Sequence, residues 1–372
     1  MNDDANSCLL TELSGGAAGP TRTPILQIHP SLRCNLACAH CYSNSGPTAH
    51  LELDVATVCE VITDAAALGF KIVSVAGGEP MMYRGLEEVL THAKRLGLRT
   101  TVTTNGYFTQ PRLLQRLQPL VDVLAISLDG PPEIHNRMRG SARAFAQLEA
   151  GMAEVRAADM NFGIIHTVTR ENWEHLLWLA DFAATHGARL LQLHPLELAG
   201  RAVEQMSAAT ADDDVLAKVY LLAFALRQKY CQSMAVQLDV LHQDHLRDEP
   251  ELVYANELTG KPTPAQLHGL LVLEADGTIV PISYGFARRY QLCNVRAQRL
   301  AAAWPSYLRR AYPAFKQLCK EVYDELCGTD GPLLVNWHEA MVARSHVQQG
   351  VAQEVSQGVK QGAARHALLN AA

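Results

Sequence analysis

The stretch Cys34-Asn-Leu-Ala-Cys38-Ala-His-Cys41-Tyr42 places three thiols within eight residues and follows the short apolar run Ile25-Leu-Gln-Ile-His29. The apolar run predicts a strand, so the thiols lie on the loop that leaves this strand. Thiolates are soft ligands for iron and zinc, and an iron–sulfur cubane ordinarily takes four of them. In such a cubane three cysteines would leave one iron without a protein ligand, and an open coordination position is where a metal site performs chemistry. Short cysteine spacings also occur by chance and in zinc sites, so the motif alone leaves these alternatives open.

Three further polar segments follow apolar runs downstream of the thiols. They are Ala76-Gly77-Gly78-Glu79-Pro80, Thr103-Thr-Asn105-Gly106, and Ser127-Leu-Asp129-Gly130 with His135-Asn-Arg137-Met-Arg139-Gly140 shortly after it. Glycine lacks Cβ and so allows a backbone to come close to a ligand. Each segment therefore places a glycine just after a predicted strand, where the backbone can come close to a neighbouring group.

Taken in order over residues 25–140, these segments resemble the motifs of the radical S-adenosylmethionine (SAM) enzymes. The cysteines match the C-x3-C-x2-C signature, the glycines match GGEP, and the third segment is similar to SLDG…H-D-x-I-R-G. Asn136 and Met138 stand where aspartate and isoleucine are commoner in the family. The resemblance implies that Cys34, Cys38 and Cys41 ligate a [4Fe-4S] cluster, which reduces SAM to methionine and a hydrogen-abstracting 5′-deoxyadenosyl radical.

The resemblance also implies a set of SAM-binding residues. By position these are Gly77, Gly78 and Glu79 at the SAM amino group, Ser127 and Asp129 near the ribose or the methionine carboxylate, and Arg139 paired with that carboxylate. Asn105 is a further cofactor-binding residue in this set. Asp129 and Asn105 have an alternative role, because each precedes a glycine and such residues favour turns.

The chain alternates short β-branched runs with longer amphipathic stretches. The predicted strands are 25–29, 71–75, 99–104, 122–128, 162–168 and 189–194, with helices between them. This alternation indicates βαβ units and a parallel sheet. Right-handed crossovers curl such a sheet, so we expect an α/β fold, a (β/α)6 partial TIM barrel with a small α+β C-terminal extension. The resemblance implies the same barrel, with its site at the carboxyl ends of the strands.

We divide the chain into a flexible leader (1–24), the barrel core (25–200), a helical connection (201–264), the extension (265–345) and a mobile tail (346–372). The extension begins with a hairpin over 270–280 that has Asp276-Gly277 as its turn signal. It resembles the SPASM or twitch extension, which carries auxiliary iron–sulfur clusters. Its cysteine pattern is degenerate, so we favour Cys293, Cys319 and Cys327 as small buried residues and keep an auxiliary cluster as the alternative.

The composition of the chain indicates which partners and which cellular compartment to expect. The formal net charge of −6 shows no basic surplus that would indicate nucleic-acid binding. No apolar run approaches the ~20 residues of a membrane span, and the acidic N-terminus lacks the features of a secretory signal. Nine cysteines, an odd number, favour metal ligation in a reducing compartment over a disulfide framework. We therefore expect a cytoplasmic protein.

The substrate is our least constrained inference. Relatives with this third segment and extension mostly modify ribosomally made peptides or mature cofactors, so a peptide is the first hypothesis and a small molecule the alternative. Gln192 and His194 alternate on the last predicted strand, and we expect them to face the barrel interior, where a substrate would bind. The alternative is a structural histidine held by backbone groups. The implied reduction requires an electron donor such as flavodoxin or ferredoxin. A non-catalytic iron–sulfur or zinc protein would use the same cysteines but would not require Gly77 and Gly78.

Overall fold

The computed structural model describes residues 23–107, 109–253 and 262–347. The predicted leader lies outside the described residues except for its last two positions, and the predicted tail lies outside them from residue 348 onwards. Within the described part of the chain, no helix is both long and apolar enough to cross a bilayer.

Six parallel strands form the body of the sheet, in chain order. They are β1 (Ile25–Ile28), β2 (Ile72–Val75), β3 (Arg99–Thr104), β4 (Val123–Ser127), β5 (Phe162–Val168) and β6 (Leu190–Pro195). Each pairs in parallel with the next, for example Ile25 with Ile72 and Thr167 with His194. The sequence prediction of six βα units in a partial barrel is confirmed, with strand bounds that agree to within one residue.

Helices connect these strands and cover the outside of the sheet. They are α1 (Val55–Ala67), α2 (Leu86–Arg95), α3 (Pro111–Leu117), α4 (Pro132–Arg139), α5 (Ala144–Ala157) and α6 (Leu176–Thr185). The first shows how the sequence encodes them. Asp54 accepts a hydrogen bond of 2.9 Å from the amide of Thr57 and caps the helix. Val58, Val61 and Ile62 recur at helical spacing and are buried in the core.

The sheet continues beyond the six strands on both sides. β7 (Ala235–Leu238) extends it next to β6, and β9 (Leu270–Leu273), β10 (Thr278–Pro281) and β11 (Cys293–Asn294) extend it next to β1. β9 runs parallel to β1, whereas β9, β10 and β11 pair antiparallel with one another. The predicted hairpin is therefore present, but it is hydrogen-bonded to the barrel sheet. A small second sheet pairs β8 (Leu241–His242) with β12 (Leu334–Val335).

The remaining helices follow the sixth strand. They are α7 (Ala202–Gln205), α8 (Asp213–Tyr230), α9 (Gln243–Asp248), α10 (Pro264–Leu267), α11 (Leu300–Arg310), α12 (Tyr312–Leu326) and α13 (Trp337–Ser345). The two largest hydrophobic clusters of the described residues hold these elements together. The larger packs the sheet against the surrounding helices. The smaller, which includes Phe286, Phe315 and Trp337, packs α12 and α13 against β9 and β10.

Candidate active site

A cavity of about 820 Å³ occupies the inside of the barrel. Its lining includes all three thiols of the cysteine loop together with Gly77, Gly78, Asn105, Ser127 and Arg139. The other two residues singled out from the sequence lie behind this lining: Glu79 is 2% exposed and Asp129 is fully buried. The structure therefore brings the predicted site residues to one end of the barrel, in two layers.

The glycine segment holds the cysteine loop against the end of β2. The amide of Gly78 donates to the carbonyl of Ser31 at 2.8 Å, and the amide of Glu79 donates to the carbonyl of Arg33 at 2.9 Å. A Cβ at Gly78 would lie 2.1 Å from the Arg33 carbonyl oxygen. Such a contact is impossible without a backbone shift, so glycine is needed here to support the metal-binding loop as well as to line the cavity.

Glu79 links the same segment to the end of β3. Its carboxylate accepts hydrogen bonds from the Thr104 hydroxyl (2.8 Å), the Asn105 amide (2.9 Å) and the Met81 amide (3.0 Å). Burial raises the pKa of Glu79, and the bonds from the two amides oppose that shift. All three hydrogen bonds come from groups of the protein itself, so the Glu79 carboxylate stabilises the contact between the glycine segment and the end of β3.

Asn105 reaches the cysteine loop from β3. Its side-chain amide nitrogen donates to the side-chain Oδ1 of Asn35 at 2.9 Å and lies 3.8 Å from the sulfur of Cys34. Its own carbonyl oxygen accepts a bond of 3.0 Å from the amide of Tyr107, which is the turn geometry considered from the sequence. One side chain therefore fixes the turn and contacts the thiol.

Asp129 and Arg139 form a buried ion pair behind the thiols. The guanidinium donates to both carboxylate oxygens, with Nε–Oδ2 at 2.6 Å and Nη2–Oδ1 at 3.2 Å, while Nη1 lies 3.8 Å from the sulfur of Cys38. Burial disfavours the charge on Asp129, but Arg139 and the nearby His40 and His135 outweigh it and hold the pKa of Asp129 well below its usual value. The ion pair thus places a permanent positive charge next to a predicted metal ligand.

Arg201 is hydrogen-bonded to the backbone of the cysteine loop. Its guanidinium donates to the carbonyls of Cys38 (2.9 Å) and Ser45 (2.7 Å), and its amide donates to the carbonyl of Cys41 (3.0 Å). Gly200 has φ +57°, and a Cβ there would lie 2.4 Å from the Cys41 carbonyl oxygen. Sequence reasoning missed both residues, because they belong to no motif and contact the loop only across more than 150 residues of chain.

The side of the cavity formed by β6 and β7 is polar. Gln192, His194, Gln237 and Asp239 all line it, and His194 forms a close ion pair with Asp239 through Nδ1. On the neighbouring strand Thr167 lines the cavity, whereas His166 is fully buried with Nδ1 at 3.0 Å from the Leu128 carbonyl oxygen. The sequence prediction that residues 192 and 194 face the interior agrees with this arrangement.

The donor set of the loop fits an iron–sulfur cluster. Burial raises the pKa of Cys34 to about 12 and also raises that of Cys38, so bare thiolates are disfavoured here without a cation. Within the described ranges no group of three or more His, Cys, Asp or Glu side chains converges to hold a single metal ion. A cubane binds its cysteines through separate irons at its corners, so its ligands need not converge on one point.

The cysteines of the extension lie apart from this loop. Cys293 is 3% exposed in the large hydrophobic cluster, and Cys319 is 1% exposed in the small one. Cys327 follows the last residue of α12. The two buried thiols therefore occupy different apolar environments, which favours the interpretation of small core residues.

Comparison with known proteins agrees with this site. Residues 28–183 match the radical SAM superfamily, whose members use a [4Fe-4S] cluster and SAM. An AdoMet-dependent heme synthase of Methanosarcina barkeri is 32% identical over 184 residues, covering 48% of this chain and 52% of the synthase. A PqqA peptide cyclase of Methylocella silvestris is 29% identical over 204 residues, covering 50% of this chain and 54% of the cyclase. The chain thus spans about half the length of both relatives.

Among solved structures, SuiB of Streptococcus suis bound to S-adenosylmethionine superimposes with a TM-score of 0.61 at 16% identity. The match covers 80% of this chain and 68% of SuiB. SuiB has also been solved bound to its precursor peptide SuiA. At this identity the likeness establishes a shared fold, which extends past the barrel into the C-terminal part of the chain.

Proposed function

We infer the activity from one premise: over residues 28–183 this chain belongs to the radical SAM superfamily. On that premise we propose that it is an enzyme that cleaves SAM reductively and abstracts a hydrogen atom from a substrate held in the barrel. The observation that carries the proposal is that three thiols of one loop open into the same cavity as the glycine segment. A purely structural metal site would not need this shared space.

Cys34, Cys38 and Cys41 would hold a [4Fe-4S] cluster, and Gly77, Gly78 and Ser127 have accessible surface for SAM. When bound, the cluster and SAM supply the electron and the 5′-deoxyadenosyl radical. The chain's own contribution is to fix the loop and to exclude water from it, since Cys34 is only 7% exposed and Cys38 only 8%.

Arg139 has a different place in this proposal from the one the resemblance implied. Its Nε and Nη2 are bonded to Asp129, which leaves Nη1 toward Cys38 and the cavity. A cation there stabilises the negative charge of ligating thiolates and of a bound carboxylate. We propose that Asp129 orients Arg139 for this role and does not itself contact SAM.

For the substrate we propose a ribosomally made peptide. The support is the sequence similarity to a peptide cyclase. The alternative, a small molecule in cofactor biosynthesis, is supported by the similarity to heme synthases. In either case we propose a one-electron donor such as flavodoxin or ferredoxin as the partner.

The first test is iron per chain after anaerobic reconstitution, for the wild type and for a Cys34→Ala/Cys38→Ala/Cys41→Ala variant. We expect about 4 irons in the wild type and close to none in the variant, as one cubane requires. The matched control is Cys293→Ala/Cys319→Ala/Cys327→Ala. If the control loses about 4 of 8 irons instead, the extension holds an auxiliary cluster.

The second test is formation of 5′-deoxyadenosine and methionine from SAM with dithionite. We expect both products from the reconstituted wild type and neither from the triple variant of the loop. Iron binding without SAM cleavage would support the non-catalytic iron–sulfur protein. Unchanged iron in the loop variant would refute the proposal as a whole.

A further inference from the structure

The side of the cavity formed by β6 and β7 carries polar and ionisable side chains that belong to none of the SAM motifs. Gln192 and Gln237 lie opposite each other in the parallel register of these two strands. His194 lies two residues further along β6, and Asp239 directly follows β7. All four line the cavity that contains the cysteine loop. The wall therefore presents amide, imidazole and carboxylate groups to whatever shares the cavity with SAM.

His194 is held in one orientation. Nδ1 pairs with Oδ2 of Asp239, which also accepts a bond of 3.4 Å from the side-chain amide of Gln192. The backbone fixes Asp239 as well, because its amide donates to the Leu193 carbonyl at 3.0 Å. A histidine whose Nδ1 is bonded to a carboxylate has a defined tautomer and leaves Nε2 for other partners.

The exposure of the pair shows that it is not a core contact. The side chain of His194 is 37% exposed and that of Asp239 is 29% exposed. By contrast, His166 on the neighbouring strand is fully buried and bonded to a backbone carbonyl. His166 thus has the burial and the backbone hydrogen bond expected of a structural histidine. His194 differs, because its Nδ1 is paired with Asp239 and its partly exposed side chain lines the cavity.

The surroundings favour a charged or proton-exchanging imidazole. Burial opposes protonation of His194, but Asp239 and, more weakly, Glu197 outweigh it and raise the pKa of His194. His338 of α13 lowers the pKa of Asp239 and lines the same cavity, and Glu197, which follows β6, lines it as well. Burial and then Glu197 raise the pKa of Glu339 to about 7.

We propose that His194 contacts the substrate through Nε2 and exchanges a proton with it, and that Asp239 is the residue that positions His194. This rests on the proposed function, because it places the substrate on the β6–β7 side of the shared cavity. It also names a substrate class: the group that meets this wall carries an exchangeable hydrogen, as a hydroxyl, amine or amide does. The step moves one proton between the substrate heteroatom and Nε2 and requires no further oxidant or reductant.

The test uses the full-length reconstituted protein and reads out His194 directly, without turnover. Diethyl pyrocarbonate modifies neutral imidazole, and mass spectrometry quantifies the modification at His194 across pH. We expect Asp239→Asn to lower the pH midpoint by at least about one unit, the effect of removing a carboxylate in contact, and Asp239→Glu to restore most of it. The matched control is Glu249→Gln at the exposed His245–Glu249 pair (3.7 Å), which leaves the His194 midpoint unchanged.

Contact with the substrate group is tested by protection. N-acetylserinamide and N-acetylalaninamide differ by one hydroxyl and are small enough for either substrate class. At equal concentration we expect the serine probe to slow modification of His194 at least threefold relative to the alanine probe, with His245 unaffected. Equal rates with the two probes would overturn the substrate class. A midpoint that Asp239→Asn does not move would overturn the positioning role. Neither result depends on iron content or SAM cleavage, so failure here is distinguishable from failure of the proposed function.

Discussion

Replacing Gly78 by alanine is the most direct test of how the cysteine loop is supported. The added Cβ would lie 2.1 Å from the Arg33 carbonyl oxygen and 2.6 Å from its carbon, whereas ordinary contact begins at 3.4 Å. The two backbones must therefore separate by 3.4 − 2.1 = 1.3 Å. Both atoms belong to backbone, so no flexible side chain can absorb the shift.

The magnitude follows from the bonds that this movement breaks. Gly78 to Ser31 (2.8 Å) and Glu79 to Arg33 (2.9 Å) join the two segments, and a movement of this size takes both beyond hydrogen-bonding distance. At about 0.5–1.5 kcal/mol for each bond, the free energy of unfolding should fall by about 1–3 kcal/mol. Iron per chain should fall more sharply, because the displaced segment leads directly into Cys34.

The assay combines urea denaturation of the apo protein with iron analysis after reconstitution. The control is Gly97→Ala, where nothing lies within 4 Å of the new Cβ but φ is +74°. This control carries the cost of a side chain at positive φ, about 1 kcal/mol, which Gly78→Ala does not carry because Gly78 is not at positive φ. It should nevertheless keep its iron. Wild-type iron content and wild-type stability in Gly78→Ala would refute the packing argument.

Three further predictions concern the groups around the thiols. Asp129→Asn leaves Arg139 buried without its counter-ion and should lower the free energy of unfolding at pH 7 by about 3–5 kcal/mol. Because the pKa of Asp129 is lowered from 3.8, this stabilisation is present above pH ~4 and is lost as the pH falls below it. The difference in the free energy of unfolding between wild type and variant, measured by urea denaturation, should therefore become smaller at acid pH. Arg201→Met removes two bonds to the cysteine loop and should speed iron release to a chelator at least tenfold, the kinetic equivalent of about 1.4 kcal/mol. Glu79→Gln replaces one carboxylate oxygen with an NH2 group, which would face the hydrogen-bond donors that the carboxylate now accepts from. We expect the free energy of unfolding in urea to fall by about 2 kcal/mol.

The controls for these three are exposed ion pairs. Arg137→Met breaks the surface pair with Glu171 and should leave iron release unchanged. Lys218→Met breaks the exposed helical pair with Asp214 and should change stability by less than about 1 kcal/mol at either pH. A larger effect in a control than in the matching variant would show that charge alone, and not contact with the loop, explains the results.

Local patterns predicted most of this fold because the information for each βα unit is contained within a short segment. Alternating runs such as Ile72–Val75 and helical spacing such as Val58, Val61 and Ile62 depend only on neighbours in the chain. β7 escaped prediction although it is as long as β2, because Val236 is the only β-branched residue among its four residues. The insertion of β9 beside β1 also escaped, since nothing in either run specifies a partner so distant in sequence.

Some residues of the candidate site could likewise be predicted from local sequence, and others could not. The three thiols and the glycines were identified because their spacing is a local signature, and the structure brings them to one cavity. The role of Arg139 could not be read from its position, because whether it meets a ligand or Asp129 depends on how α4 ends against β4. Arg201 carries no local signal at all, and only the folded chain shows that it reaches the Cys38 carbonyl.

The position of β1 between β2 and β9 has a consequence for the order of events during synthesis. Ile25 pairs with Leu270, a separation of 270 − 25 = 245 residues, which a ribosome adds in about 12–50 s at ~5–20 residues per second. Throughout that interval the strand that leads into the cysteines has one open edge. The nascent chain therefore completes the sheet on both sides of β1 only after β9 has been synthesised, and we expect stable cluster binding to follow the synthesis of β9.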